Sequence, residues 1–215
     1  MSKFRRMLMM ANAVEPVPPT PVLPYDAEVE WLQNPVGAYI HLPYKPSNTI
    51  GYEVKWCKGD SDATLERAPI GCWTGWKSNM WGDDLKEVES KILCCWGANY
   101  NYISSVTYPA NNFAVWKRVN NEFYYNGVKR STNTAYTFQS TRDIYLFGIN
   151  IGSVQYNNPM KIAYCKIFNS SNNSLIFDLI PVRKDGVGYM YDKISGVMYG
   201  NNGTGAFTFG NDVTT

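Results

Sequence analysis

Residues 180–210 read IPVRKDGVGYMYDKISGVMYGNNGTGAFTFG, and this stretch leaves the chain few ways to fold. Two short apolar-aromatic pieces, 188–191 and 197–199, flank Asp192, Lys193, Ile194, Ser195 and Gly196. A Gly/Asn-rich turn over 200–205 then leads to Phe207 and Phe209. Aromatic residues on alternate positions, separated by glycine reversals, predict short antiparallel strands joined by tight turns.

The same grammar runs upstream. Ile50, Tyr52, Val54 and Trp56 alternate in the manner of a half-buried strand, and residues 113–119 alternate likewise. Asn120-Asn121 makes a turn into residues 123–125, and Asn126-Gly127 is the strongest hairpin signal, because both residues tolerate positive φ. Residues 143–151 predict a strand with Gly148 as a point of curvature. Residues 161–168 turn through 169–174 into 175–180. The one helix expected is short, over residues 83–90, with Asp83 or Asp84 as its cap. Many short strands between turns predict an all-β antiparallel sandwich of two packed sheets.

A chain of 215 residues suits one good core plus an appendage. Its 15% aromatic content, with sixteen Tyr and seven Trp, favours strands over helices. Twenty basic and 18 acidic residues give a net charge of +2 with the charges scattered, which argues against a nucleic-acid partner. No stretch approaches transmembrane length, so no membrane partner is expected. The apolar run over 7–11 is too short for a secretory signal. Cys57, Cys72, Cys94, Cys95 and Cys165 are odd in number and lack metal-type spacing; they predict buried free thiols and folding in a reducing compartment. On a strand, Cys94 and Cys95 point to opposite faces, so one thiol is expected to face the core.

Three segments follow. Residues 1–12 form a basic, Met-rich arm, 13–24 a Pro-rich linker, and 25–215 the β body. Five of the nine residues over 16–24 are proline, a polyproline-II spacer reaching about 28 Å at about 3.1 Å per residue. The arm offers Phe4, Arg5, Arg6, Met7, Leu8 and Met9 as an anchor to a larger body.

With these residues in view, the terminal segment resembles the closing strands of concanavalin A-like (laminin-G-like) jelly-roll domains. The likeness extends over roughly residues 25–212: YDAEVEWL at 25–32 as the opening strand, 38–40 as the next, NEFYYNGV at 121–128 as the central hairpin, and 161–181 as the last long pair. Such domains are frequent in virion proteins of bacteriophages, above all phages of gut bacteria. The resemblance therefore implies a structural role on a particle and assembly as a homo-oligomer, with a trimer favoured.

Catalysis has little to draw on. Jelly-roll glycosidases use a Glu-x-Asp-x-x-Glu pattern to place two carboxylates about the scissile bond. Glu28-Val29-Glu30 and Glu87-Val88-Glu89 both lack the third carboxylate. His41 is the chain's one histidine, and neither a Gly-x-Ser-x-Gly elbow nor a phosphate-binding glycine motif occurs. No catalytic residue, cofactor or metal is expected. Trp73, Trp76 and Trp81, in a segment broken by Gly75 and Gly82, are the candidate glycan-binding residues. Asp60, Asp62, Asp83 and Asp84 are the weaker candidates for calcium.

The sequence thus leads first to a non-enzymatic bacteriophage structural protein: a head fibre, capsid decoration or tail-associated adhesin. It would sit in the virion, be held to capsid or tail proteins by its arm, and present a lectin-like domain to host-surface glycans. A carbohydrate-binding module of a gut bacterium is the alternative, and a retaining glycoside hydrolase the weaker one.

Overall fold

The computed structural model describes residues 23–60, 62, 64–86, 91–104 and 111–213. The anchoring residues Phe4, Arg5, Arg6, Met7, Leu8 and Met9, and all of the linker before Leu23, lie outside the described residues. In chain order the strands are β1 (Ala27–Glu28), β2 (Leu32–Gln33), β3 (Ile40–Leu42), β4 (Ile50–Lys58), β5 (Arg67–Cys72), β6 (Met80–Lys86), β7 (Lys91–Gly97), β8 (Asn99–Ser104) and β9 (Ala114–Val119). They continue as β10 (Glu122–Tyr125), β11 (Val128–Thr132), β12 (Ile144–Leu146), β13 (Ile149–Asn150), β14 (Val154–Gln155), β15 (Met160–Asn169), β16 (Leu175–Lys184), β17 (Val187–Asp192), β18 (Met198–Tyr199) and β19 (Thr208–Phe209). No helix occurs among the described residues.

Two sheets pack face to face. The first follows the order β11-β10-β9-β4-β15-β16-β17-β18, with β1, β2 and β19 attached. The second runs β14-β13-β5-β6-β7-β8, with β3 and β12 beyond β5. The predicted all-β sandwich is therefore the architecture, and among the described residues its ladders are antiparallel apart from the parallel register of Asn150 with Cys72.

Alternation places the core. Ile50, Tyr52, Val54 and Trp56 all point inward from β4, as their spacing predicts, and meet Trp81, Trp96 and Ile70 of the second sheet. Burying each such apolar side chain contributes about 1.5–3 kcal/mol, so this row alone outweighs any surface pairing. The hairpin between β10 and β11 turns at Asn126 (φ 48°) and Gly127 (φ 78°), the two positive φ angles a type I′ turn requires.

Three local expectations fail. Residues 83–86 continue β6 and form no helix; 87–90 lie outside the described residues. The reason is tertiary: Trp81, Asp83 and Leu85 alternate into the sandwich, overriding a local capping signal. The single strand expected over 143–151 breaks at Phe147 (φ 63°) and Gly148 (φ 157°), where the chain doubles back from β12 into β13. The opening strand also divides, into β1 against β16 and β2 against β15 and β19.

Charge reaches the interior between the sheets. Asp83 on β6 accepts from the Tyr52 hydroxyl, from Arg118 on β9, and from the Cys95 N–H at 2.8 Å. Arg118 also donates to Asn133 at 2.9 Å, and Asn133 donates on to the Cys94 carbonyl at 2.9 Å. Burial pushes the Asp83 carboxyl up, against the opposing pull of Arg118 and Tyr52.

The two ends of the described chain meet. Leu23, Tyr25, Asp26 and Val213 line one cavity of about 340 Å³. Arg183 clamps it, donating to Asp212 at 2.8 and 2.7 Å and standing 3.5 Å from Asp26.

Candidate functional site: an aromatic face on the second sheet

The outer face of the second sheet is built from positions that alternate with the core. Gly71, Gly82, Cys95 and Tyr100 stand opposite one another across β5, β6, β7 and β8, and Asp84, Leu93 and Tyr102 form the next row. Gly82 (φ 116°) has to be glycine, because a Cβ there would stand 2.6 Å from the Gly71 Cα. Ala68, Trp73, Met80, Leu93, Cys95 and Ile149 bury a second apolar cluster on this side, with Tyr100 and Tyr156 packed against it. Both faces of β7 are covered: Cys94 faces the main core, as the alternation predicts, and Cys95 is buried in the second cluster. All five cysteines are free and buried, and burial lifts the Cys57 thiol to about 11 and the Cys72 thiol to about 12.

Aromatic rings continue outward from this cluster. Tyr156 and Trp73 lie 5.8 Å apart, Trp73 and Trp76 6.0 Å, Trp76 and Tyr100 5.0 Å, and Tyr100 and Tyr102 5.5 Å. Trp73 is buried at 3% exposure, whereas Trp76 is 54% and Tyr102 44% exposed. A tight reversal holds Trp76 out: Gly75 and Ser78 exchange backbone hydrogen bonds of 3.2 and 3.0 Å, with Lys77 at φ 57°. Between Trp76 and the 151–156 segment opens a cavity of about 330 Å³, lined by Trp73, Gly75, Trp76, Ile151, Gln155 and Tyr156. The Trp73 indole N–H beside it has no hydrogen-bond partner among the described residues. Lys77 and Lys86 stand over Tyr100 and Tyr156 at 5.2 and 5.9 Å, and Lys86 also pairs with Glu66 at 2.7 Å.

Of the three predicted tryptophans, Trp73 and Trp76 come together here and Trp81 does not. Trp81 is fully buried between the sheets, 5.3 Å from the Tyr52 ring, and its indole donates to the Ile50 carbonyl at 2.8 Å. Its place on β6, where odd residues face inward, removes it from any ligand. The four aspartates do not converge either. Asp60 pairs with Arg67, Asp62 accepts from the Thr64 hydroxyl at 2.6 Å, and adjacent Asp83 and Asp84 point to opposite faces of one strand. Among the described residues no group of three or more His, Cys, Asp or Glu side chains is arranged to hold a metal ion.

Asp84 lies beneath the aromatic face, fully buried, and neither carboxylate oxygen has a hydrogen-bond partner among the described residues. Burial drives its carboxyl well above the usual range; Lys86 pulls it down, while Glu66 and Asp83 push it further up. A raised carboxylic acid beside an aromatic cleft has the titration a glycosidase acid needs. With zero exposure it cannot touch a sugar. Glu87 and Glu89 lie outside the described residues.

Tyr100, Tyr102 and Tyr156 were not singled out from sequence. The Tyr-x-Tyr alternation at 100–102 was a usable signal for two of them. Tyr156 had none, since it arrives only through the reversal at Phe147 and Gly148.

Comparison with known protein families finds no match, and comparison with curated proteins finds none. Among solved structures, the chain is similar to a protein of Bacteroides ovatus ATCC 8483, provisionally described as a carbohydrate binding protein. The TM-score is 0.58 at 11% identity, over 87% of this chain and 61% of the other. At that identity the likeness is one of fold: an all-β, two-sheet sandwich. This chain spans less than two thirds of the length of that neighbour.

Proposed function

We propose that this chain is a non-catalytic carbohydrate-binding module whose glycan-contacting surface is the aromatic face of the second sheet. The observation that carries the reading is the run of five rings from Tyr156 to Tyr102, two of them well exposed beside an open cavity. Indole and phenol rings offer an apolar face to a pyranose and a polar edge to its hydroxyls. Successive ring centroids stand 5.0–6.0 Å apart from Tyr156 through Trp73, Trp76 and Tyr100 to Tyr102, a run longer than one pyranose, which suits an oligosaccharide better than a single ring. Of the two leading expectations from sequence, the description of the Bacteroides ovatus neighbour fits the carbohydrate-binding one.

The test is titration of the protein with a panel of β-glucan, xylan, mannan and pectin, followed by tryptophan fluorescence. Covering an exposed indole contributes about 1.5–3 kcal/mol, so Trp76→Ala is expected to weaken binding roughly ten- to a hundredfold. Its melting temperature should stay that of the unaltered chain, because Trp76 is more than half exposed. Equal affinity in the variant, or no binding to any glycan, would remove the proposal.

A virion setting for the same module is favoured by segment order alone: a basic arm, a stiff spacer, then a β domain. In that setting the arm grips a capsid or tail protein and the sandwich, as a trimer, faces outward. The full chain carrying Arg5→Glu and Arg6→Glu is then expected to be missing from purified particles that contain the unaltered chain. Mass spectrometry of particles decides it, and normal incorporation of the variant would rule the anchor out.

A further inference from the structure

Arg142 stands one residue away from the Ile151 wall of the Trp73–Trp76 cavity. A Cβ built on Gly152 would stand 2.8 Å from the Arg142 Nη1 and 3.3 Å from its Cζ, so the guanidinium packs on the Gly152 backbone, next to Ile151 in the cavity wall. The Arg142 side chain has no hydrogen bond or ion pair with any described residue, and its Nε is buried without a partner.

The loop is not slack. Ser140 Oγ accepts from the Arg142 N–H at 3.0 Å and donates to its carbonyl at 3.0 Å, while Thr141 and Thr74 join hydroxyls at 3.2 Å beside Trp73.

The acids nearby are spoken for. Asp143 faces His41 at 2.9 Å, Glu66 holds Lys86, and Asp84 is sealed in the sheet. On the far side of Trp76, Lys77 has the Tyr100 ring beneath it and no carboxylate among the described residues. A part-buried guanidinium with unspent donors is costly to keep, and its planar fork matches a carboxylate or a sulfate.

We propose that this cavity takes a sugar residue bearing an anionic group, a uronic-acid carboxylate or a sulfate ester, with Arg142 gripping the anion and Trp76 stacking on the ring. The inference rests on the glycan-binding reading and narrows its ligand. An exposed lysine on a different strand, Lys129 of β11, serves as the control for diffuse attraction.

The experiment compares polygalacturonate, dextran sulfate and neutral dextran by titration calorimetry on the full chain. The unaltered protein is expected to bind at least one acidic polymer tenfold or more tighter than dextran. Arg142→Gln should erase that preference at unchanged melting temperature, Arg142→Lys should keep part of it, and Lys129→Gln should keep all of it. Whichever acidic polymer loses affinity identifies the anion as carboxylate or sulfate.

Equal binding of acidic and neutral polymers overturns the inference and leaves the module reading standing, whereas failure of all three together with the wider panel removes both. An equal loss in Lys129→Gln and Arg142→Gln also overturns it, since the attraction would then belong to the surface at large.

Discussion

Arg118→Leu, with Asp83 left in place, is expected to cost about 3–5 kcal/mol of folding stability, because it strands a carboxylate between the sheets. The guanidinium being removed is fully buried, donates to Asp83 and Asn133, and lies 5.5 Å from the Trp96 and Phe123 rings. Asp83 belongs to the second sheet; Arg118 and Tyr52 belong to the first, so the pair ties the two layers in one register. Taking both charges away together is a different matter. Arg118→Leu with Asp83→Leu should recover most of the loss, since an apolar replacement of a buried pair is often neutral or stabilising by about 1–4 kcal/mol. Urea unfolding of the single and double variants measures this. A double variant no more stable than the single one would show that the pair is not the unit that matters.

The second large effect has the opposite sign. Asp84→Asn is expected to stabilise the protein by roughly 1–3 kcal/mol near pH 8, the scale of an unsatisfied buried polar group. The sign follows from linkage. An unfolded aspartate titrates at about 3.9, and burial holds the folded Asp84 well above that, so the folded state keeps a proton that the unfolded state has lost. Stability contributed by Asp84 therefore falls as pH rises from about 4 toward its folded value. Asparagine has the shape of the protonated acid, so the variant's advantage should shrink to nothing as pH approaches about 4. Chemical denaturation of both proteins at several pH values tests it. An advantage independent of pH would mean that Asp84 titrates alike in the folded and unfolded chain, and a loss of stability in the variant would mean that it is charged and paired when folded.

The fold was legible where side chains obey one period. Ile50, Tyr52, Val54 and Trp56 declare an inward face by alternation alone, and Asn126-Gly127 declares a turn by the φ angles those residues permit. It became illegible where a charge occupies a core position. Asp83 and Arg118 interrupt the apolar pattern of β6 and β9, so the first was read as a helix cap. Only the partner sheet, distant in sequence, explains them.

The site was half legible for a related reason. Glycine at 75 and 82 suggested one exposed loop carrying three tryptophans. Gly75 does mark a reversal, but Gly82 is small because the backbone of β5 passes against it, which puts Trp81 inside a strand and out of reach. Arg142 gave no sign of itself, since its meaning lies in the contacts it lacks and not in its neighbours along the chain.

The shared cavity at Leu23 and Val213 bears on how such a sandwich can be mounted. Leu23 and Val213 sit at one corner, fastened there by Arg183 and by the Val213 N–H, which donates to the Glu28 carbonyl at 2.9 Å. Joined to other segments, the domain would hang to one side as a pendant and not lie in line as a link. Pulling on the two ends would load that corner first, sparing the layered interior and the ringed face alike.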